Sequence, residues 1–96
     1  MSADMTAAEC GAVTVRFLLE AEPCPGLLPR ILQPFAKRHL VPDDVRSQRV
    51  ADDLLIDVLM EAVSATVAQL IEGNLRQIVG VRRVTQVRPV PLRQVA

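Results

Sequence analysis

Twice along this chain an alternating apolar pattern gives way to a helical one. In 12-AVTVRFLLE-20, Val13, Val15, Phe17 and Leu19 point one way, and Thr14, Arg16, Leu18 and Glu20 the other. A period of two marks a strand with one buried face. Past 21-AEPCPG-26, Leu28, Ile31, Leu32 and Phe35 fall at i, i+3, i+4 and i+7, one apolar face of a helix over 27–39. The second half repeats the exchange. In 54-LLIDVLMEA-62, Leu54, Ile56, Val58 and Met60 share one face, while Leu55, Asp57, Leu59 and Glu61 share the other. Val67, Leu70, Ile71, Asn74, Leu75 and Ile78 then recur at helical spacing. Between the two units lies 43-DDVRSQRV-50, a polar stretch that reads as an edge strand whose charges discourage stray pairing. A last strand, 81-VRRVTQVR-88, closes the pattern.

The residues between these segments supply the expected stops. Ser64 is a helix N-cap, its hydroxyl available to a first-turn N–H, and Val63 is placed to staple onto that turn. Gly80 ends the second helix, and Lys37, Arg38 and His39 put cations at the C-terminus of the first. Ala51, Asp52 and Asp53 make a turn, and Pro89 and Pro91 end the last strand. The order β-α-β-β-α-β predicts an α+β, ferredoxin-like sandwich. With right-handed crossovers the four antiparallel strands lie in the order 4-1-3-2, and both helices cover one face. Strand 43–50 is then an edge, and Leu18, Leu55 and Leu59 lie on the open face. Residues 1–11 read as a flexible tail, 12–88 as the one domain and 89–96 as a second tail.

Composition narrows the function. Eleven basic and eleven acidic side chains cancel, and the only aromatics are Phe17 and Phe35. A neutral chain has no overall field to gather nucleic acid, and single-strand binders need aromatic platforms that are lacking here. The local run 82-RRVTQVR-88 reads as a solvated strand face. Cys10 and Cys24 match no zinc spacing and read as free thiols in a reducing compartment, so the expected location is the cytoplasm. One histidine, His39, cannot build a histidine metal site, and no serine stands where it would complete a triad. No apolar run approaches the roughly 20 residues of a membrane span, and the opening MSADMTAAECG lacks the apolar segment of a signal peptide. The expectation is a non-catalytic protein with no metal or cofactor, no nucleic-acid partner and no membrane segment.

The densest local signal is 22-EPCPGLLPRILQPF-35. Pro25 and Pro29 suit positions before and within a first helical turn. Gly26 permits a tight turn and close backbone approach. The free first-turn donors belong to Gly26, Leu27 and Leu28, since Pro29 has none, and such a terminus suits a small carboxylate. The same residues also satisfy a plain tight turn into a helix. Pro34 falls in the helix interior, where it removes the bond to the Arg30 carbonyl and is expected to kink the helix at a cost of about 3 kcal/mol.

Two segments then carry a family resemblance. The run 18-LLEAEPCPGLLPRILQPFAKRH-39 is similar to the ACT-domain pattern of a strand, an acidic or Asn-containing turn, a Pro-Gly or Ser-Gly step and L-x-x-I/V-x-x-x-F. The run 70-LIEGNLRQIVGVRRVTQV-87 resembles the ending typical of the small regulatory subunits of acetohydroxyacid (acetolactate) synthase. The resemblance covers residues 12–88. It implies a regulatory domain that pairs side by side through its second strand, here 43–50. It also implies a small amino acid, branched-chain in the synthase subunits, bound between the turn before the first helix and the partner's edge strand. Carried onto this chain, the implied ligand residues are Glu22, Pro25, Gly26, Leu27, Leu28 and Val41. Pro23 and Cys24 stand where the family often has Asn or Asp, and Val41-Pro42 where it often has an Asn, which leaves Glu20 or Glu22 as the carboxylate for a ligand's amino group. The implied partners are a second copy and a large catalytic subunit. A ligand-free assembly subunit with the same fold is the alternative.

Overall fold

The computed structural model describes residues 12–88. The tails assigned to 1–11 and 89–96, with Cys10, Pro89 and Pro91, lie outside those residues. β1 (Ala12–Ala21), α1 (Leu27–Lys37), β2 (Asp44–Val50), β3 (Asp53–Ser64), α2 (Ala65–Arg76) and β4 (Val81–Val87) follow in the expected order. The strands lie side by side as β2-β3-β1-β4, each neighbouring pair antiparallel. This is the ferredoxin-like sandwich that the two alternating runs and two helical runs predict.

The alternation selects the core. Val15, Phe17, Leu19 and Ala21 of β1 are buried with Ile56, Val58 and Met60 of β3 and Val84 of β4. α1 adds Leu27, Ile31, Pro34 and Phe35, and α2 adds Ala68, Ile71 and Leu75. Phe17 and Phe35 meet edge to face across this core, ring centroids 5.8 Å apart, a pairing worth about 0.5–1.5 kcal/mol beyond its buried area. Both helices are rotated from the expected faces. In α1, Leu28 and Leu32 are half-buried, and Leu27 and Pro34 take the interior. In α2, Leu70 is 52% exposed. Small Ala68 sits inward instead, so the helix seats on the sheet one position away from the stripe of large residues.

Two bulges re-aim the strands. Between the pairs Val13↔Val63 and Val15↔Met60, β3 carries one residue more than β1. The extra residue falls at Glu61–Ala62, and it restores Val63 to the buried side. The bulge's backbone is satisfied by side chains: the Glu61 amide donates to Asp43 Oδ2 at 2.7 Å, and Thr14 Oγ1 donates to the Glu61 carbonyl at 2.9 Å. Strand β3 therefore runs to Ser64, two residues beyond the expected end, and Ser64 caps α2 by accepting from the Val67 amide at 3.0 Å. The second bulge, between Glu20↔Arg83 and Ala21↔Val81, leaves Arg82 as the extra residue of β4.

α1 continues through Pro34 as one helix and ends two residues before the expected His39. His39 lies just beyond it, with φ 59. The His39 amide donates to the Ala36 carbonyl at 2.9 Å, and the Leu40 amide to the Phe35 carbonyl at 2.9 Å. These are the two bonds of a Schellman motif, with His39 in the left-handed position that glycine usually fills. Its place is therefore set by backbone geometry, where the sequence suggested only a cation near the helix dipole.

Candidate functional site

The site grows from the connection between β1 and α1. Cys24, Pro25, Gly26 and Leu27 form a type II turn: the Leu27 amide donates to the Cys24 carbonyl at 3.2 Å, and Gly26 has φ 83 and ψ −3. Pro25 pre-sets the first corner, and Gly26 supplies the positive φ that the second demands. The turn corrects the expected donor set. The Leu27 N–H is spent inside the turn, and its side chain is fully buried. The N–H groups of Gly26 and Leu28 have no hydrogen-bond partner among the described residues. Arg30 Nη2 lies over the turn, 3.9 Å from where a Cβ on Gly26 would stand. Two unspent backbone donors at a helix N-terminus and a nearby guanidinium thus lie on one exposed turn, a chemistry that suits an anionic group.

Neighbouring elements fix the loop. The Glu22 amide donates to the Gly80 carbonyl at 2.8 Å. Gly80 has φ 100, and a Cβ there would meet Leu27 Cδ1 at 3.6 Å, so the turn before β4 packs directly beneath the start of α1. Arg82, the bulged residue of β4, reaches Asp53 at the start of β3 and comes within 3.8 Å of the Glu22 carboxylate. The basic run 82–88 is therefore divided. Arg82 ties the loop to the β2–β3 hairpin, Arg83 faces outward opposite Glu20, and Arg88 bonds Gln86.

Glu22, Pro25, Gly26 and Leu28 are gathered at one end of the molecule, and each is at least partly exposed. Val41 is not brought to them. It is 84% exposed beyond the far end of α1, and eleven helical residues separate the two ends by roughly 16 Å. Arg30, Asp53, Gly80 and Arg82 were missed by sequence reasoning. They come from α1, the start of β3, and the α2–β4 turn with the strand that follows it, and only the bulge at Arg82 turns that side chain toward the loop. Cys24 is a free, exposed thiol in the turn.

On the sheet face away from the helices, cross-strand pairing lines up Asp44, Arg46 and Gln48 with Leu59, Asp57 and Leu55, and these with Arg16, Leu18 and Glu20. Leu18 and Leu55 are each 38% exposed. Arg16 Nη1 bonds Asp57 Oδ2 at 2.9 Å. A shallow groove of about 400 Å³ runs between Leu18, Leu55, Arg46 and Thr85. Among the described residues no group of three His, Cys, Asp or Glu side chains could hold a metal ion, and no helix is long and apolar enough to cross a membrane.

Solved structures share this fold. A homoserine dehydrogenase from Thiobacillus denitrificans superposes with TM-score 0.70 at 17% identity over 83% of this chain, which spans only 18% of that enzyme. The ACT domain from GTP pyrophosphokinase of Chlorobium tepidum gives 0.68 at 12% identity over 79% of this chain and 99% of that domain. The C-terminal domain of the MgtC protein from Mycobacterium tuberculosis gives 0.64 at 14% identity, covering 82% of this chain and 89% of that one. At such identities the likeness establishes the fold. No curated protein matches the chain. A family model described as an ACT-like domain matches residues 8–93, and the chain belongs to that family.

Proposed function

We propose that the chain is a non-catalytic regulatory domain that binds a small amino acid, working as the small subunit of an acetolactate synthase or as a relative in branched-chain amino acid biosynthesis. The observation that carries the binding part is the pair of unspent N–H groups at Gly26 and Leu28 beside the Arg30 guanidinium. The ligand's carboxylate accepts from these donors. Its ammonium group faces Glu22, whose carboxylate is exposed and held only loosely by Arg82 at 3.8 Å. The half-buried Leu28 side chain and the partner's Val41 offer apolar contact to an aliphatic side chain. The resemblance of residues 70–87 to the synthase subunits supports the choice of pathway, and the expected setting is the cytoplasm, as a homodimer through β2 on a large catalytic subunit. Regulation follows if the ligand prefers one quaternary state of that subunit.

A second reading is favoured by the exposed Leu18 and Leu55 on the open sheet face. Leu18 and Leu55 offer a small apolar contact to a partner, and the domain then serves assembly without a ligand. A thermal-shift scan of the proteinogenic amino acids separates the two. A ligand at about one hundred times its Kd adds ~2.7 kcal/mol, a shift above roughly 10 °C in a domain of this size. Gly26→Ala, which disfavours φ 83, is expected to abolish the shift. A flat scan leaves the assembly reading and removes the sensor.

A further inference from the structure

We propose that two copies of the chain join β2 to β2 in one particular register, with Ser47 directly opposite the partner's Ser47. The proposal rests on the homodimer reading above and fixes its geometry.

The sheet has two edges, and they are treated differently. At the β4 edge, Arg76 Nη2 donates to the Val84 carbonyl at 2.9 Å. The guanidinium is held there by Glu72, at 2.6 and 3.1 Å, and Glu72 in turn accepts from Gln86 at 2.7 Å. An incoming strand would have to strip this network. At the β2 edge, six of seven residues are exposed, and among the described residues no side chain bonds the strand's backbone. Its charges at Arg46 and Arg49 oppose pairing only in registers that set them face to face, and β2 lacks the proline or bulge that would block any partner. Its unpaired backbone groups form a template for an antiparallel partner.

Two-fold symmetry and face parity leave few ways to pair. Asp44, Arg46 and Gln48 share the open face, whereas Val45, Ser47 and Arg49 pair with Val58, Ile56 and Leu54 on the helix side. Faces match only if one residue lies opposite its own copy. An axis beside Arg46 or Arg49 sets two guanidinium groups on Cβ atoms about 4.5–5.5 Å apart, and an axis beside Asp44 does the same with two carboxylates, each destabilising. An axis beside Val45 or Val50 leaves a ladder too short to hold, and one beside Gln48 omits Asp44 and Val45. The axis beside Ser47 uses the whole strand, Asp44–Val50. It sets Arg46 opposite Gln48, Val45 opposite Arg49 and Asp44 opposite Val50, with no like charges face to face. Arg46 is further tempered by Asp44, which accepts from its Nε at 2.8 Å.

This register also completes the site. It directs the partner's Val41 toward the β2–β3 turn at Ala51–Asp52. At that end of the sheet Ala21 aligns with Leu54 and Arg49, and β1 delivers Glu22 and Gly26.

The test uses the full chain with Cys10 and Cys24 changed to Ser, carrying Ser47→Cys, Arg46→Cys or Gln48→Cys in turn, under mild oxidation. Ser47→Cys is expected to double its mass on a non-reducing gel, while the other two remain single, because cysteines with Cα atoms more than ~7 Å apart cannot bridge without backbone movement. A light-scattering mass of two chains together with preferential bridging of Arg46→Cys or Gln48→Cys overturns the register and leaves the homodimer standing. A two-chain mass with no bridging in any variant overturns pairing through β2. A one-chain mass at micromolar concentration overturns the homodimer itself.

Discussion

Replacing His39 by Gly is expected to raise stability, and its size follows from one dihedral angle. His39 has φ 59 just beyond α1, and its amide and that of Leu40 close the helix onto Ala36 and Phe35. A left-handed conformation costs an L-residue about 1–2 kcal/mol, because Cβ crowds the following carbonyl oxygen. Histidine is among the residues that tolerate the region best, which places it near the lower figure. Glycine removes this strain but loses roughly 0.5–1 kcal/mol more unfolded-state entropy on folding. The net gain is therefore small, about 0–0.5 kcal/mol. At ~4–8 °C per kcal/mol for a domain of this size, the midpoint rises by at most about 4 °C. The side chain is exposed and makes no hydrogen bond among the described residues, so little else is lost. His39→Val provides the opposite arm, since a β-branched residue at positive φ is worse than His. The expected order of midpoints is Gly above His above Val in urea and heat, with the urea m-value unchanged. Equal midpoints for Gly and Val would show that the left-handed position carries no strain, and the Schellman account of this helix end would fail.

Three further outcomes follow from particular contacts. Arg76, by hydrogen bond first, together with Gln86 and the charges of Arg76 and Arg88, holds the Glu72 carboxyl below the usual carboxylate range against an opposing effect of burial. A depressed folded pKa contributes stability that is present above the unfolded value and is lost as pH falls through the folded one. Chemical denaturation at steps from pH 6 to pH 3 should therefore show a smaller acid loss for Glu72→Gln than for the parent chain. Asp43→Ala leaves the Glu61 amide of the β3 bulge without its acceptor and is expected to cost about 1–2 kcal/mol by urea denaturation, whereas Asp44→Ala, which loses only the exposed bond to Arg46, should stay within ~0.5 kcal/mol. Phe35→Ala opens the core where its ring meets Phe17 and should cost about 3–5 kcal/mol, read from the same denaturation curves.

The element order was legible because each segment states its own period. Val15, Phe17 and Leu19, or Ile56, Val58 and Met60, have no arrangement but a strand that buries them together. Ser64 was legible as a cap for the same reason: its partner, the Val67 amide, is three residues away. What stayed hidden depends on a second segment. The bulge at Glu61–Ala62 left a trace in the odd spacing from Met60 to Val63. Reading it, however, requires knowing that Asp43 and Thr14 wait with an acceptor and a donor from two other places in the chain. The inward side of α1 was ambiguous between the stripes through Leu28 and through Leu27. Pro34 decides it by adding its apolar ring to the second, and the interior position that made Pro34 look like a defect is thereby filled with buried surface.

The site was legible as a turn and illegible as a constellation. Pro25-Gly26 announces a type II turn, and the geometry follows at once. A type II turn closes on the amide of its fourth residue, so Leu27, counted from the sequence as a free donor, is necessarily the one donor consumed. Gly26 and Leu28 are the donors left, and that subtraction is a property of turn chemistry that no longer-range contact alters. Val41 poses the opposite problem. Its place relative to Gly26 is fixed by the length of α1, which holds the two apart in any single copy. A ligand that touches both requires a second chain, which the proposed β2 pairing would bring. If both proposals hold, binding at this turn and pairing through Ser47 are linked. A ligand held between Gly26 and the partner's Val41 stabilises the pair by the same free energy with which pairing strengthens its binding. The sensor reading therefore requires the fraction of dimer to rise with ligand in dilute solution, whereas the assembly reading requires it to stay constant.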